Sequence, residues 1–255
     1  MKKITLAGYG FVGKAVYATF KDAHNVTISD PQYNNTKIYD VESDGVIVCV
    51  PTPQDDDGKC DMSYVIDVIN DTPNNVPVLI KSTISLEGWK EIKDMFPAKQ
   101  ITFSPEFLVE ATAEEDFKNQ KIMYVGGGDI DFWLETFRTA LPQITFSRAE
   151  VESLILIKYF RNSFLATKVS FFNQVHDLCK ATGQDYNIVA QGITEDPRIG
   201  KSHTQVPGPD GYYGYGGHCF PKDTNAIVKT ASNFEIDLSV IKTAMSYNSK
   251  VRNEQ

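Results

Sequence analysis

Over the first 147 residues, short apolar runs alternate with stretches of helical period. The runs fall at 4–7, 26–29, 45–50, 76–80, 101–103 and 121–125. Runs rich in Val and Ile, with little polar alternation, suit strands buried on both faces of a parallel sheet. Segments at about 11–22, 62–72, 86–96 and 129–141 read as the helices between them. Strand–helix alternation of this kind predicts an α/β, Rossmann-like doubly wound parallel sheet.

The pattern changes after Ser147. From 149 to 182 there is neither Pro nor Gly, and Gly183 follows as a C-cap. One helix of that length runs ~50 Å at 1.5 Å per residue. It is too long to lie on a small sheet, so it is expected to connect two domains and to form a dimer interface. Helical patterns at about 186–192, 222–232 and 237–250 complete the chain, around one glycine-rich loop at 207–219. The expected organisation is a cofactor-binding sheet domain at 1–147 and an all-helical catalytic and dimerisation domain at 148–255.

Composition narrows the function classes. The chain has 255 residues, with 25 Lys plus Arg against 33 Asp plus Glu, a formal net charge of −8. An acidic chain lacks the broad positive field that nucleic acid or an anionic membrane surface requires, so neither is expected as a partner. No apolar stretch reaches the ~18–20 residues of a membrane span. The four cysteines, Cys49, Cys60, Cys179 and Cys219, form no CxxC pair and no zinc-ribbon spacing, so no metal site is expected. With no secretory leader apparent, thiols in a reducing, cytoplasmic compartment are the expectation. The acidic run Asp55-Asp56-Asp57-Gly58 reads as a solvated turn.

Four groups of residues carry candidate chemistry. Gly8-Tyr9-Gly10-Phe11-Val12-Gly13 follows a predicted strand and opens a predicted helix, the context in which GxGxxG marks a dinucleotide site. The phosphates are expected at the helix N-terminus. Asp30, 22 residues after Gly8, ends the second strand and is placed to accept from ribose hydroxyls, which favours NAD over NADP. The plainer reading is a tight turn and a loop start. Gly216-Gly217-His218-Cys219-Phe220-Pro221-Lys222-Asp223 bares the backbone around one cysteine. A thiol near a helix N-terminus and beside Lys222 is expected to be more acidic than usual, with Asp223 one turn on as a proton acceptor. Without that context it would read as a small buried hydrophobe. Lys158 and Asn162 share a face of the long helix and could polarise a substrate oxygen; such a pair otherwise reads as solvated surface. Finally, Val50-Pro51-Thr52-Pro53, Lys81-Ser82-Thr83-Ile84 and Ser104-Pro105-Glu106-Phe107-Leu108 each follow a predicted strand, where doubly wound sheets bind ligands. Taken singly, each is also an ordinary turn.

These motifs, with Lys158-Tyr159-Phe160-Arg161-Asn162 and Asp196-Pro197-Arg198-Ile199-Gly200, occur in an order that resembles the UDP-glucose 6-dehydrogenase family, within the wider UDP-glucose/GDP-mannose dehydrogenases. The resemblance spans about residues 1–250. It implies a two-step oxidation of a sugar C6 alcohol to a carboxylate with two NAD, UDP-glucose being the implied substrate. By that resemblance Cys219 is the nucleophile, forming a thiohemiacetal and then a thioester. Lys158 and Asn162 stabilise oxyanion charge, Asp223 works with water as general base, and Thr83 and Glu106 position water. The implied cofactor set is Gly8, Gly10, Phe11, Val12, Gly13, Asp30, Pro51, Thr52, Thr83 and Lys222. The implied substrate set is Glu106, Phe107, Leu108, Lys158, Asn162, Arg198, Tyr215, Gly216 and Gly217, with Arg198 reaching the substrate of a neighbouring subunit in a homodimer built on helix 149–182. Family members carry a further C-terminal domain that helps hold the nucleotide, so a truncated form without it is expected.

Two other functions stand beside this one. A single-step β-hydroxyacid-type NAD dehydrogenase shares the sheet-plus-helix plan and a Lys/Asn pair but needs no cysteine. A non-catalytic NAD-binding module, completed by a partner chain, needs neither. Cys219 with Asp223 separates the first reading from the second, and Lys158, Thr83 and Glu106 separate it from the third.

Overall fold

The computed structural model describes residues 1–54 and 60–253; the acidic run at 55–58 lies outside them. The chain forms two compact units, Met1–Lys158 and Tyr159–Gln255.

The first unit is built on seven strands: β1 (Lys3–Ala7), β2 (Asn25–Ser29), β3 (Gly45–Val48), β4 (Val78–Ile80), β5 (Ile101–Phe103), β6 (Ile122–Gly127) and β7 (Thr145–Arg148). Their order in the sheet is β2-β1-β3-β4-β5-β6-β7. The order reverses at β1, which pairs with β2 on one side and β3 on the other, both in parallel. Ligand crevices of doubly wound sheets open at the carboxyl ends of the strands at such a reversal. The apolar runs form the strands because helices cover both faces: α1 (Phe11–Phe20), α2 (Ser63–Asp71), α3 (Leu86–Met95), α4 (Ala113–Asn119) and α5 (Ile130–Ala140). Ile4, Leu6, Ile47 and Leu79 of the sheet pack with Val16, Phe20, Phe117, Trp133 and Phe137 in one buried cluster.

Two elements carry little sequence signal. Helix α4 has seven residues, of which only Ala113 and Phe117 are buried, so its apolar face is two positions long. Strand β7 is an edge strand with a single apolar residue, Phe146, and pairs only with β6. The sheet also departs from an all-parallel arrangement. The chain passes from β5 through α4, which packs on α1, and β6 enters antiparallel to β5, pairing Thr102 with Gly127.

The second unit is helical. Helix α6 (Val151–Thr182) gives its first eight residues to the first unit and the rest to the second. Gly183 ends it with φ +70°. It is followed by α7 (Tyr186–Thr194), α8 (Cys219–Asn233) and α9 (Ser239–Asn253), with α8 packed on α9. Helix α8 begins three residues before its expected start at 222, because Pro221 falls in its first turn, where the missing N–H costs no intrahelical bond. Cys219 is therefore the first residue of a helix rather than the last of a loop. Among the described residues, no helix is long and apolar enough to cross a membrane.

One ion pair inside the first unit is almost wholly withdrawn from water. Lys81, just after β4, has no exposed side-chain area, and its Nζ lies 3.0 Å from Oε1 of Glu106, whose side chain is 9% exposed. Lys81 Nζ also donates to Ser104 Oγ at 3.1 Å. It stands 5.7 Å from the Phe117 ring and 5.9 Å from the Phe137 ring, so the ammonium is surrounded by apolar surface. Removing one partner of a buried pair strands the other charge, whereas replacing both by apolar groups can be nearly neutral. Lys81→Met is accordingly expected to cost about 3–5 kcal/mol in urea unfolding. The double variant Lys81→Met/Glu106→Leu is expected to recover most of that loss. A single-variant cost below about 1 kcal/mol contradicts this account of the pair.

Candidate active site

In the first unit the glycine fingerprint sits where the sequence placed it, between β1 and α1. Gly8 has φ +92°, and a Cβ there would fall 2.6 Å from the Cys49 carbonyl oxygen of the neighbouring strand end. A Cβ on Gly13 would overlap the Gly8 carbonyl, so the helix can start this close to the strand only with glycine at both positions. Gly10 differs. It is the exposed N-cap of α1, with no side-chain cap bond, and its Cβ position has nothing within 4 Å. The first N–H groups of a helix have no intrahelical partner and favour an anion. Phe11 and Val12 begin that helix and pack partly against the core.

Asp30 lies at the end of β2. Its Oδ2 accepts from Tyr9 N at 2.6 Å and its Oδ1 from Gln32 N at 2.7 Å, which fixes the carboxylate beside the glycine turn. Each oxygen keeps a second lone pair for a ribose hydroxyl. An open helix N-terminus flanked by a fixed carboxylate fits a pyrophosphate and its ribose, so the residues present fit NAD. Thr52 is buried and Pro51 exposed, just beyond β3. Ser82 Oγ donates to Val50 O at 2.7 Å and ties the β3 and β4 loops together. Thr83 is half-buried, and its carbonyl accepts from Cys60 Sγ at 3.4 Å. Cys49, beneath the glycines, is buried, and burial pushes its thiol far above the usual range despite the Lys81 charge nearby.

The segment after β5 is shaped by two lysines. Lys81 holds the Glu106 carboxylate, and Lys158, eight residues into α6, donates from Nζ to the Glu106 carbonyl oxygen. Glu106 Oε2 is buried and has no hydrogen-bond partner among the described residues. Lys158 Nζ also lies 5.5 Å from the Phe107 ring. Phe107 and Leu108 are half-buried just beyond the end of β5. In the sequence Lys81 reads only as a polar strand tip; its hold on Glu106 depends on the adjacency of β4 and β5 and has no local signal.

In the second unit, Asp223 is 1% exposed. Asn162, one turn beyond Lys158 on α6, donates from Nδ2 to Asp223 Oδ2 at 2.6 Å. Lys222 Nζ donates to Asp223 Oδ1 at 2.8 Å. Both oxygens of the buried carboxylate are therefore engaged, one by an amide and one by a cation. Cys219 is exposed at the first position of α8, four residues before Asp223, so the two lie one turn apart on the same helix. Gly217, with φ +73° and open space at its Cβ position, leads into it. Tyr215 is 5% exposed, and burial raises its phenol above the usual value. Arg198 is exposed, and its guanidinium is turned onto Asp196, with Nη2 2.5 Å from Oδ2.

Among the described residues no group of His, Cys, Asp and Glu side chains is arranged to hold a metal ion. A shallow cleft of about 450 Å³ lies on the first unit between Asp131, Glu135, Arg138 and Arg148, and none of the candidate residues lines it.

Comparison with known proteins agrees with this geometry. Residues 29–132 match the NAD binding domain of the UDP-glucose/GDP-mannose dehydrogenase family, and residues 152–250 match its central domain. A UDP-glucose 6-dehydrogenase of Rhizobium meliloti is 36% identical over 226 residues, covering 81% of this chain and 50% of that protein. The chain thus spans about half the length of the curated relatives it matches. In fold, the chain resembles a UDP-glucose dehydrogenase from Pyrobaculum islandicum, with a TM-score of 0.84 at 23% identity, covering 98% of this chain and 68% of that one. It also resembles the 3-hydroxyisobutyrate dehydrogenase of Mycobacterium tuberculosis, with a TM-score of 0.76 at 18% identity, covering 98% of this chain and 93% of that one. Fold alone therefore does not separate the two-step from the single-step reading. The two family matches, which together cover most of the chain, do identify it: the chain belongs to the UDP-glucose/GDP-mannose dehydrogenase family, with an NAD-binding first unit.

Proposed function

We propose that the chain oxidises the C6 alcohol of a nucleotide sugar to a carboxylate in two steps, with UDP-glucose as the substrate. In this reading residues 1–147 serve the cofactor and residues 148–255 serve catalysis and dimerisation. The observation that carries it is the buried Asp223 carboxylate, held by Asn162 and Lys222 one helical turn from an exposed cysteine at a helix N-terminus. A single-step dehydrogenase has no use for that cysteine.

NAD would be held by the turn at Gly8 and Gly10 and by Asp30, and would supply the hydride acceptor for each of the two oxidations. The chain's residues supply the rest. Lys158 and Asn162 stabilise the oxygen as it loses its proton and gains negative charge. Cys219 Sγ adds to the aldehyde carbon, and its proton leaves to solvent. This step ties the aldehyde to the protein between the two oxidations. After the second oxidation the carbon is a thioester. Asp223 takes a proton from water, the water oxygen adds to the thioester carbon, and the carbon–sulfur bond breaks to return the Cys219 thiolate. Glu106 and Thr83 orient that water. One sugar, two NAD and one water give one carboxylate, two NADH and three protons.

NADH formation with UDP-glucose tests this reading. Wild type is expected to form two NADH per sugar, and Cys219→Ala to lose turnover by at least about 10³-fold while still binding NAD. One NADH per sugar, unaffected by Cys219→Ala, favours the single-step reading. Tight NAD binding with no turnover on any UDP- or GDP-sugar favours a module that needs a partner.

We propose further that two copies pair through α6. Phe160, Phe164, Phe171 and Leu178 are 43%, 68%, 53% and 66% exposed. Their spacings of 4, 7 and 7 residues place them on one stripe of the helix. Such a stripe is expected to be covered by its own copy. Wild type is expected at twice the chain mass by light scattering, and Phe164→Asp/Phe171→Asp at the chain mass. A wild type that stays at the chain mass at tens of micromolar contradicts the pairing.

A further inference from the structure

The glycine-rich loop before Cys219 is held from behind by the last helix. Asn248, on α9, is 8% exposed. Its Oδ1 accepts from Tyr215 N at 2.6 Å, and its Nδ2 donates to Tyr215 O at 3.0 Å. One amide side chain thus pairs with both backbone groups of one residue, as an adjacent strand would. One turn later, Arg252 donates from Nε to the same carbonyl at 3.2 Å and from Nη2 to Asp210 Oδ2 at 2.7 Å. From α6, Asn173 Oδ1 accepts from Gly214 N at 2.9 Å.

Two of the loop's glycines answer to these contacts. Gly214 has φ +72°, and a Cβ on it would overlap Asn248 Oδ1. A Cβ on Gly216 would fall 2.5 Å from Arg252 Nη2. Only Gly217, of the three, has open space at its Cβ position. Gly214 and Gly216 therefore let α9 grip the loop, and the bare backbone is left to face outward at Gly217. The grip lies 33 and 37 residues beyond Tyr215 in sequence.

We propose that Asn248 and Arg252 are positioning residues: they fix the backbone of Tyr215, Gly216 and Gly217 as the surface on which the nucleotide sugar is seated ahead of Cys219. This rests on the dehydrogenase reading of the site. Both polar atoms of the Asn248 amide are spent on Tyr215, so it acts through the loop. A loop ordered before binding spares the complex the entropy of ordering it, so loosening the grip weakens substrate binding more than it slows the chemistry at Cys219.

The test uses the full chain with NAD and UDP-glucose, comparing Asn248→Ala, Arg252→Ala and Arg252→Lys with Ser249→Ala, an exposed position on the same helix. In Asn248→Ala and Arg252→Ala, KM for UDP-glucose is expected to rise about tenfold with kcat within about twofold and the Kd for NAD unchanged. The peptide covering 208–218 is expected to exchange its amide hydrogens faster in both. Arg252→Lys keeps a cation against Asp210 and is expected to restore KM to within about threefold. Ser249→Ala is expected to behave as wild type. If Asn248→Ala fails to fold, the two Arg252 variants decide the matter by the same split. Folded variants with wild-type KM, or a loss shared equally by kcat, NAD binding and Ser249→Ala, overturn the proposal. Wild type that forms no NADH from any UDP- or GDP-sugar overturns the dehydrogenase reading and this proposal together.

Discussion

A carboxylate taken out of water must find donors for its oxygens, and both units of this chain are organised around meeting that requirement. In the first, Glu106 is held by Lys81 through its side chain and by Lys158 through its carbonyl. In the second, Asp223 is held by Asn162 and Lys222. The partners come from different elements, so each pairing also fixes a packing. Lys81 follows β4 and Glu106 follows β5, while Asn162 lies on α6 and Asp223 on α8. Pairs of this kind contribute little net stability, since desolvation offsets attraction. Their effect is to allow one arrangement and penalise others, which is what a site needing fixed geometry requires.

Glycines do the complementary work. Each removes a Cβ where two pieces of backbone, or backbone and a fixed side chain, must come close. Gly8 and Gly13 bring α1 against the end of β1 and β3, and Gly214 and Gly216 bring the loop before Cys219 against Asn248 and Arg252. Gly10 and Gly217 have open space instead, and both stand at the entrance to a helix N-terminus, of α1 and of α8 respectively. The two kinds of glycine sit side by side within single motifs. The spacing shows that backbone is bared; only the fold shows toward what.

The sequence made the long elements and the buried strands legible. Helix α6 is 32 residues of unbroken helical pattern ended by Gly183, and β3 and β4 are runs of Val, Ile and Leu without polar alternation. It hid α4 and β7, whose apolar faces are one or two residues wide. The same division holds at the site. Cys219 and Asp223, or Lys158 and Asn162, are four residues apart and visible as helical neighbours. Lys81 and Glu106 are 25 residues apart, and Tyr215 and Asn248 are 33 apart; no periodicity links such pairs, because sheet order and helix packing bring them together. The start of α8 at Cys219 was obscured by Pro221, which reads as an opening residue yet stands third in the helix.

In the proposed reaction, release of the thioester from Cys219 depends on Asp223 as the proton acceptor. Mass analysis of Asp223→Asn after mixing with UDP-glucose and NAD tests this directly. A burst of about two NADH per chain is expected, followed by arrest, with the peptide holding Cys219 carrying the acyl group of the oxidised sugar nucleotide. Turnover of Asp223→Asn near the wild-type rate, with an unmodified Cys219 peptide, would contradict it.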